Sequence, residues 1–468
     1  PALAPDGGTV AFAALGDLWL MRIGEAPTRL TDDAHTEVDP AWSPDGTRLV
    51  YASSRAGGTD LWLHDVATGG ERRLTTDGGS APAWSPDGRE IAYLGGGRGG
   101  GLRVLDVATG QARTVRSGLN GPGRPTWSPD GRSVVVAALW RYSTRFREGV
   151  NRALRIPTSR PISEQGDGEP GDAAGHGGAG VVETVLSTVP QEGERWLDFS
   201  EHGSVSSRGT DGPVWSPDGR SVAFVAEGVL WVAPVEPSGD PAGPPRRLNN
   251  EFSSDPSWSG DGRSILYLSD AGLRRIGVED GRVEAVPVPL DWSGTVPGER
   301  WTLHAGQLFD GVGTQIRRSV DVVISGNRIV RVVPHDASLH GGRVIDASDG
   351  VVAPGLVDMH NHVGLDGAEQ GGRQWLAFGV TSVRSPATDP FEVVEARESR
   401  ASGRRIGPRV FGTGNTLDGS RIYYAGAPAL AADPRYPRIV RRQGGWVVAC
   451  PQAGDDYQAA SGTITQAG

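Results

Sequence analysis

Five copies of Trp-Ser-x-Asp-Gly punctuate the first 262 residues: WSPDG at 42–46, 84–88, 127–131 and 215–219, and WSGDG at 258–262. A worn copy, LAPDG, stands at 3–7. Their fourth positions, residues 6, 45, 87, 130, 218 and 261, are separated by 39, 42, 43, 88 and 43 residues. Each turn is followed by an alternating apolar stretch such as RLVYAS (48–53), EIAYLG (90–95), SVAFVA (221–226) or SILYLS (264–269). A second stretch follows, such as DLWLM (17–21) or VLWVA (229–233), and a third, such as TRLTDD (28–33). Ser suits the first position of a type I turn, Pro presets φ at the second, Asp tolerates the third and Gly takes the fourth. The flanking strands therefore form antiparallel hairpins. Four strands per period of about 42 residues predict a β-propeller; β-solenoid repeats are shorter.

The blade number turns on the 88-residue step. One blade with a long insertion (141–212) gives six, the favoured count, because no second turn motif lies there; a degenerate extra blade would give seven. Residues 166–180, GDGEPGDAAGHGGAG, read as a flexible loop. No strand is evident before Pro5, so the first blade is expected to start incomplete. The chain begins with Pro1, and its true N-terminus is expected to lie upstream. These repeats resemble the propeller of the Tol-associated protein TolB and its relatives over roughly residues 1–290. Relatives of this propeller are often exported, so the resemblance favours a periplasmic or extracellular location slightly over the cytoplasm. Propellers of this type also accompany serine hydrolases, but no serine here sits in Gly-x-Ser-x-Gly.

Composition removes other classes. A net charge of −10 without a basic, aromatic-laced stripe argues against nucleic acid. No apolar run reaches the roughly 18 residues of a membrane span. One cysteine, Cys450, excludes an internal disulfide framework and a cysteine zinc site. All 46 basic residues are arginine. Arg397, Arg400, Arg404 and Arg405 lie near helical spacing and read as a solvated helix face, with an anion site as the alternative.

The repeat stops after Gly262, and from Trp301 the text changes. DVVI and RIVRVV flank the turn SGN, a hairpin signal. Then comes VVAPGLVDMHNHVG (351–364), an apolar step running into two histidines one residue apart. In a strand, Asp358, His360 and His362 would share a face. The order LFDG (308–311), DVVISGNRIVRV (321–332), VIDASDGVVAPGLVDMHNH (344–362) and FGVTSVRS (378–385) resembles the metal-dependent amidohydrolase superfamily, in the branch of imidazolonepropionase and prolidase-like enzymes.

That resemblance implies a mainly β chain with four parts. A propeller spans 1–292 and a small β-sandwich 299–354. The N-terminal part of a (β/α)8 barrel spans 355–430, and an unassigned tail 431–468. The helix GAEQGGRQWLAFG precedes the second barrel strand, and PRVFGTG (408–414) is the third. The resemblance implies that His360 and His362 ligate a divalent metal, zinc foremost, with Asp358 structural; Arg384 faces either the site or a loop. It also implies hydrolysis of carbon–nitrogen bonds in a small amide or peptide, by a metal-activated water with a carboxylate moving protons. The propeller would bind a protein partner or gate access. The family's further ligands, a carboxylated lysine or glutamate and two more histidines, and its acid/base aspartate have no matching positions. His362 is the last histidine and the chain has no lysine. Asp366, Asp389 and Asp418 read as polar loop residues rather than substitutes. Gly355 to Gly468 is 114 residues, against about 250 for a complete barrel. The tail lacks helical or strand periodicity, and a shifted reading frame is expected; a natural short form, or one completed by another chain, is the alternative. An inert barrel remnant beside a binding propeller is the rival function.

Overall fold

In the computed structural model every Trp-Ser-x-Asp-Gly run reverses the chain in the same way. Gly46 N donates to Ser43 O at 2.9 Å, and the same bond recurs at Gly88, Gly131, Gly219 and Gly262. Ser43 Oγ donates to Asp45 Oδ1 at 2.6 Å. With the Thr47 donors this draws the Asp45 carboxyl down to about 2. Gly46 sits at φ +71°, in the left-handed region that glycine enters without strain.

The described residues are 1–96, 101–143, 148–158, 188–199, 204–206, 211–226, 228–236, 238–269, 272–363, 368–386, 388 and 390–413, with short strands at Thr416–Asp418, Ala429–Ala431, Ile439–Arg442 and Trp446–Ala449. Apart from those last strands, the tail 431–468 with Cys450 lies outside them.

Among the described residues six four-stranded antiparallel meanders occupy 2–29, 37–73, 79–116, 126–197, 214–247 and 254–286. Each contacts the next, and the sixth returns to the first. Leu3, Val10, Phe12 and Met21 of the first sheet share a core with Leu266, Leu273 and Val286 of the sixth, and Leu3 N donates to Ser257 Oγ at 3.0 Å. The ring is closed. The fourth sheet absorbs the long chain step with an extended hairpin, Ser133–Ser143 on Glu148–Pro157. The first sheet is complete, contrary to the expectation from sequence: Ala2–Leu3 pairs with Thr9–Ala14. Two residues suffice at this position, as at Thr126–Trp127 and Val214–Trp215, which is too short for any periodicity to register.

The repeated tryptophan staples the sheets. Trp42 Nε1 donates to Ala2 O, Trp84 to Ala41 O, Trp127 to Ala83 O and Trp258 to Val214 O, all at 3.0–3.1 Å. Each bond runs to the first strand of the preceding sheet. The Trp215 indole, which comes after the insertion, has no such acceptor.

Residues 287–299 carry no helix or strand and are exposed from 291 on. Four strands follow in the order Arg328–Pro334, Arg317–Ser325, Arg300–Leu308, Arg343–Val352, the last pair parallel. Gly326 (φ +60°) and Asn327 form the two-residue hairpin turn that SGN signals. Ala305, Leu308, Val320 and Val322 form the core of this unit. The expected sandwich is one sheet among the described residues. Four strands make one layer, and Ile329 (66% exposed) and Val351 (61%) lie on uncovered surface.

Next come Leu356–Asp358, helix α1 (Ala368–Ala377), Val380–Ser385, helix α2 (Pro390–Ala401) and Arg409–Gly412. The three strands form a parallel sheet in chain order. Val363, Val383, Val393, Ala396 and Val410 pack between sheet and helix. Leu356 and Phe411 stay more than half exposed, so apolar surface and sheet edges are open. A barrel is not formed by three strands.

Candidate functional site

The His-x-His pair lies just past the end of its strand, not within it. Asp358 ends the strand and bends the chain with its own side chain: Oδ1 accepts His360 N at 3.0 Å and Oδ2 accepts Asn361 Nδ2 at 2.8 Å. This is the side-chain-to-backbone turn that aspartate favours. The neighbouring strand Val380–Ser385 holds the residues after the bend. Asn361 N donates to Arg384 O at 3.0 Å, and Val363 N to Ser385 Oγ at 2.9 Å. The Arg384 guanidinium reaches Met359 O at 3.4 Å, so it braces the turn. His360 and His362 are both exposed, with ring centroids 5.3 Å apart and planes at 83°. They stand together at the carboxyl end of a parallel sheet, where barrels and open α/β sheets place their sites.

Among the described residues no third His, Cys, Asp or Glu joins them within metal-ligand reach. Asp358 is committed to its turn. Asp366 and Asp389 lie outside the described residues, and Asp418 falls in the strand Thr416–Asp418 rather than a loop. Two imidazoles are short of the three protein ligands of a catalytic zinc site.

A second histidine group lies in the four-stranded sheet, and no sequence motif pointed to it. His304 and Asp321 are cross-strand partners. His335 follows the strand Arg328–Pro334, and His340 caps the 3₁₀ turn Ala337–Leu339. Asp321 Oδ1 meets His304 Nδ1 at 3.0 Å and His335 Nδ1 at 2.9 Å; Oδ2 meets His340 Nε2 at 3.1 Å and accepts Asp336 N at 3.0 Å. The Asp321 side chain is 1% exposed. Burial alone would raise its carboxyl, but the Asp336 amide and the three imidazoles together hold it far below the usual carboxylate range. His304, Asp321 and His335 form a possible His/Asp metal site. The available hint in the sequence is density: five of the nine histidines fall between 304 and 362.

Of the four arginines Arg397 on α2 is exposed, but Arg404 and Arg405 lie past the end of that helix and face the propeller. Arg405, 4% exposed, lies against Asp17, Glu37 and the Gly16 carbonyl of the propeller, and Arg404 Nη1 reaches Asp17 Oδ2 at 2.8 Å. Glu395 of α2 accepts the amides of Leu15 and Gly16. Gly16 (φ +83°) faces the Arg405 guanidinium, where a Cβ would collide. The linker joins in: Thr295 N donates to Ala401 O at 2.9 Å. Helical spacing cannot reveal partners some 380 residues away.

Burial pushes the Glu37 carboxyl up to about 7, and Asp33 adds to this against the opposing pull of Ser53 Oγ and Arg405. A carboxyl unfolded near 4.3 then binds more protons folded than unfolded between pH 4 and 7, so stability falls as pH rises through that window. Wild type is expected to lose more stability between pH 5 and 8 than Glu37→Gln, by calorimetric melting. Equal pH slopes would refute the assignment.

Comparison with known proteins falls in line with the N-terminal repeats. Residues 1–142 match the TolB beta propeller domain. The chain is 38% identical over 82 residues to N-acyl-D-glutamate deacylase of Alcaligenes xylosoxydans xylosoxydans, covering 17% of this chain and 16% of that protein. It is 34% identical over 81 residues to the Tol-Pal system protein TolB of Anaeromyxobacter dehalogenans, covering 16% and 19%. Among solved structures, TolB from Acinetobacter baumannii aligns with 61% of this chain and 65% of its own at 17% identity and a TM-score of 0.44. The chain spans less than a fifth of the length of the curated relatives it matches. No helix among the described residues is long and apolar enough to cross a membrane. The chain is thus mainly β, with a propeller of four-stranded sheets whose first 142 residues are similar to that of TolB.

Proposed function

We propose that the segment from Trp301 onward belongs to a metal-dependent hydrolase of carbon–nitrogen bonds, with His360 and His362 as two of its metal ligands, carried beside a propeller that docks a partner or screens access. The observation that supports it is the placement of two exposed imidazoles, side by side, at the carboxyl end of a parallel βαβαβ sheet. The partial similarity to a deacylase fits this reaction class. Because the described donor set is two imidazoles, no catalytic step is assigned through the metal. N-acyl amino acids and short peptides are the substrate classes to test.

The test is release of free amine from N-acyl-D- and N-acyl-L-amino acids and dipeptides, with and without added zinc. Metal-dependent release that falls at least about 100-fold in His360→Ala is expected, since even residues behind a metal ligand contribute 10–100-fold. Release indifferent to metal and to His360→Ala, or no release at all, would overturn the reading. A second reading rests on the lack of a third donor among the described residues: the propeller is the working part, a protein-binding module exported to the periplasm, and the C-terminal segment is inert. It predicts no amine release under any metal condition.

A further inference from the structure

We infer that His304, Asp321, His335 and His340 form a structural site for one divalent transition-metal ion, separate from His360 and His362. Two strands and the loop 335–340 bring these side chains together: the ligand atoms of His304, Asp321 and His335 lie within 4.8 Å of one another, and His340 Nε2 lies 3.1 Å from the second Asp321 oxygen. Two imidazoles point Nδ1 at the same carboxylate oxygen, and the third points Nε2 at the other. The His304 and His335 rings lie 3.7 Å apart and tilted by 42°, with His340 5.3 Å from His335. An ionised carboxylate offers about four acceptor sites, and the Asp336 amide and the three imidazoles fill them. The three imidazoles are metal ligands as well as donors: a cation at the centre would take one nitrogen from each ring and one oxygen from Asp321, a neutral-imidazole and carboxylate set.

Size supports the assignment. Tetrahedral zinc with bonds of about 2.0–2.1 Å separates its donors by about 3.3 Å. For His304 and His335, which share Oδ1, the nitrogen–oxygen distances of 3.0 and 2.9 Å need to open by only a few tenths of an ångström. Imidazole with carboxylate and no thiolate suits zinc, cobalt(II) or nickel rather than copper(I) or magnesium. His304, Asp321 and His335 are the core donors, and His340 moving from Oδ2 onto the ion closes the set, the hallmark of a structural rather than a catalytic site. Its effect is mechanical. The ion ties Arg300–Leu308 to Arg317–Ser325 and to the loop 335–340, in a one-layer sheet with an uncovered face.

The test is cobalt(II) titration of the full chain carrying His360→Ala and His362→Ala, followed by visible absorption. One ion per chain with the intense d–d bands of tetrahedral cobalt is expected. Adding His335→Ala, whose side chain is 34% exposed and safe to truncate, is expected to weaken binding at least about 100-fold. Asp321→Asn, which keeps size and shape, should do the same. Absence of tetrahedral cobalt in the His360→Ala/His362→Ala chain, or binding unchanged by His335→Ala, overturns the site. Neither result touches the hydrolase proposal, because both are read without His360 and His362.

Discussion

Arg405→Ala is expected to release helix α2 from the propeller. The guanidinium is 4% exposed and faces Asp17 and Glu37, each with side chains at 0% exposure. Without it Glu37 loses its guanidinium neighbour and Gly16 O its donor, while Asp17 keeps Arg29 and Arg404 and Glu37 keeps Ser53, so the cost is about 1–3 kcal/mol. At 1.4 kcal/mol per decade this raises the open population by about 5–140-fold. The exposed linker 291–299, anchored to the end of α2 through Thr295, is the segment this opening frees. Chymotrypsin cleavage at Trp292, 41% exposed within that linker, should accelerate accordingly under conditions where closing outruns cleavage. Arg405→Lys should recover only part of the loss, because an ammonium cannot span Gly16 O, Asp17 and Glu37 as a planar fork does. An unchanged cleavage rate in Arg405→Ala would show that the contact contributes nothing to docking.

The second large effect belongs to the propeller. Trp127 is 5% exposed and packs among Ala83, Leu102, Val104 and Leu154 while its indole bonds to Ala83 O. Trp127→Ala removes both contributions and leaves a cavity between the third and fourth sheets, at about 3–5 kcal/mol. Trp127→Phe keeps most of the apolar volume and loses the bond, at about 1 kcal/mol. Because sheets neighbour one another round a closed ring, the loss should appear as a lower urea midpoint for the whole propeller. Two variants of equal stability would show that the tryptophan repeats for some reason other than stapling.

The difference between what was legible in the residues and what was not is physical. Ser43, Asp45 and Gly46 close their turn within six residues, so every copy of the motif announces the same hairpin. The stretches read from sequence at Arg48–Ser53 and Ser264–Ser269 coincide with strands, although these are buried on both faces rather than alternating, because each sheet is packed between its neighbours. Helix α1 and the strands Val380–Ser385 and Arg409–Gly412 are where the resemblance puts them. The turn made by Asp358 was not legible, because its carboxylate competes with the strand that alternation predicts. The group around Asp321 depends on strand register, which sets His304 opposite Asp321, and on a loop that returns His335 and His340 to the same carboxylate. Arg404 and Arg405 find their partners through the docking of two units, which no local period encodes.

Anomalous scattering from crystals of the chain grown with zinc tests the central claim most directly. The hydrolase reading predicts a metal peak within about 2.1 Å of an imidazole nitrogen of both His360 and His362. A peak beside Asp321 with none at His360 and His362 would contradict it, leaving a metal-braced sheet and a propeller whose partner is the function to find.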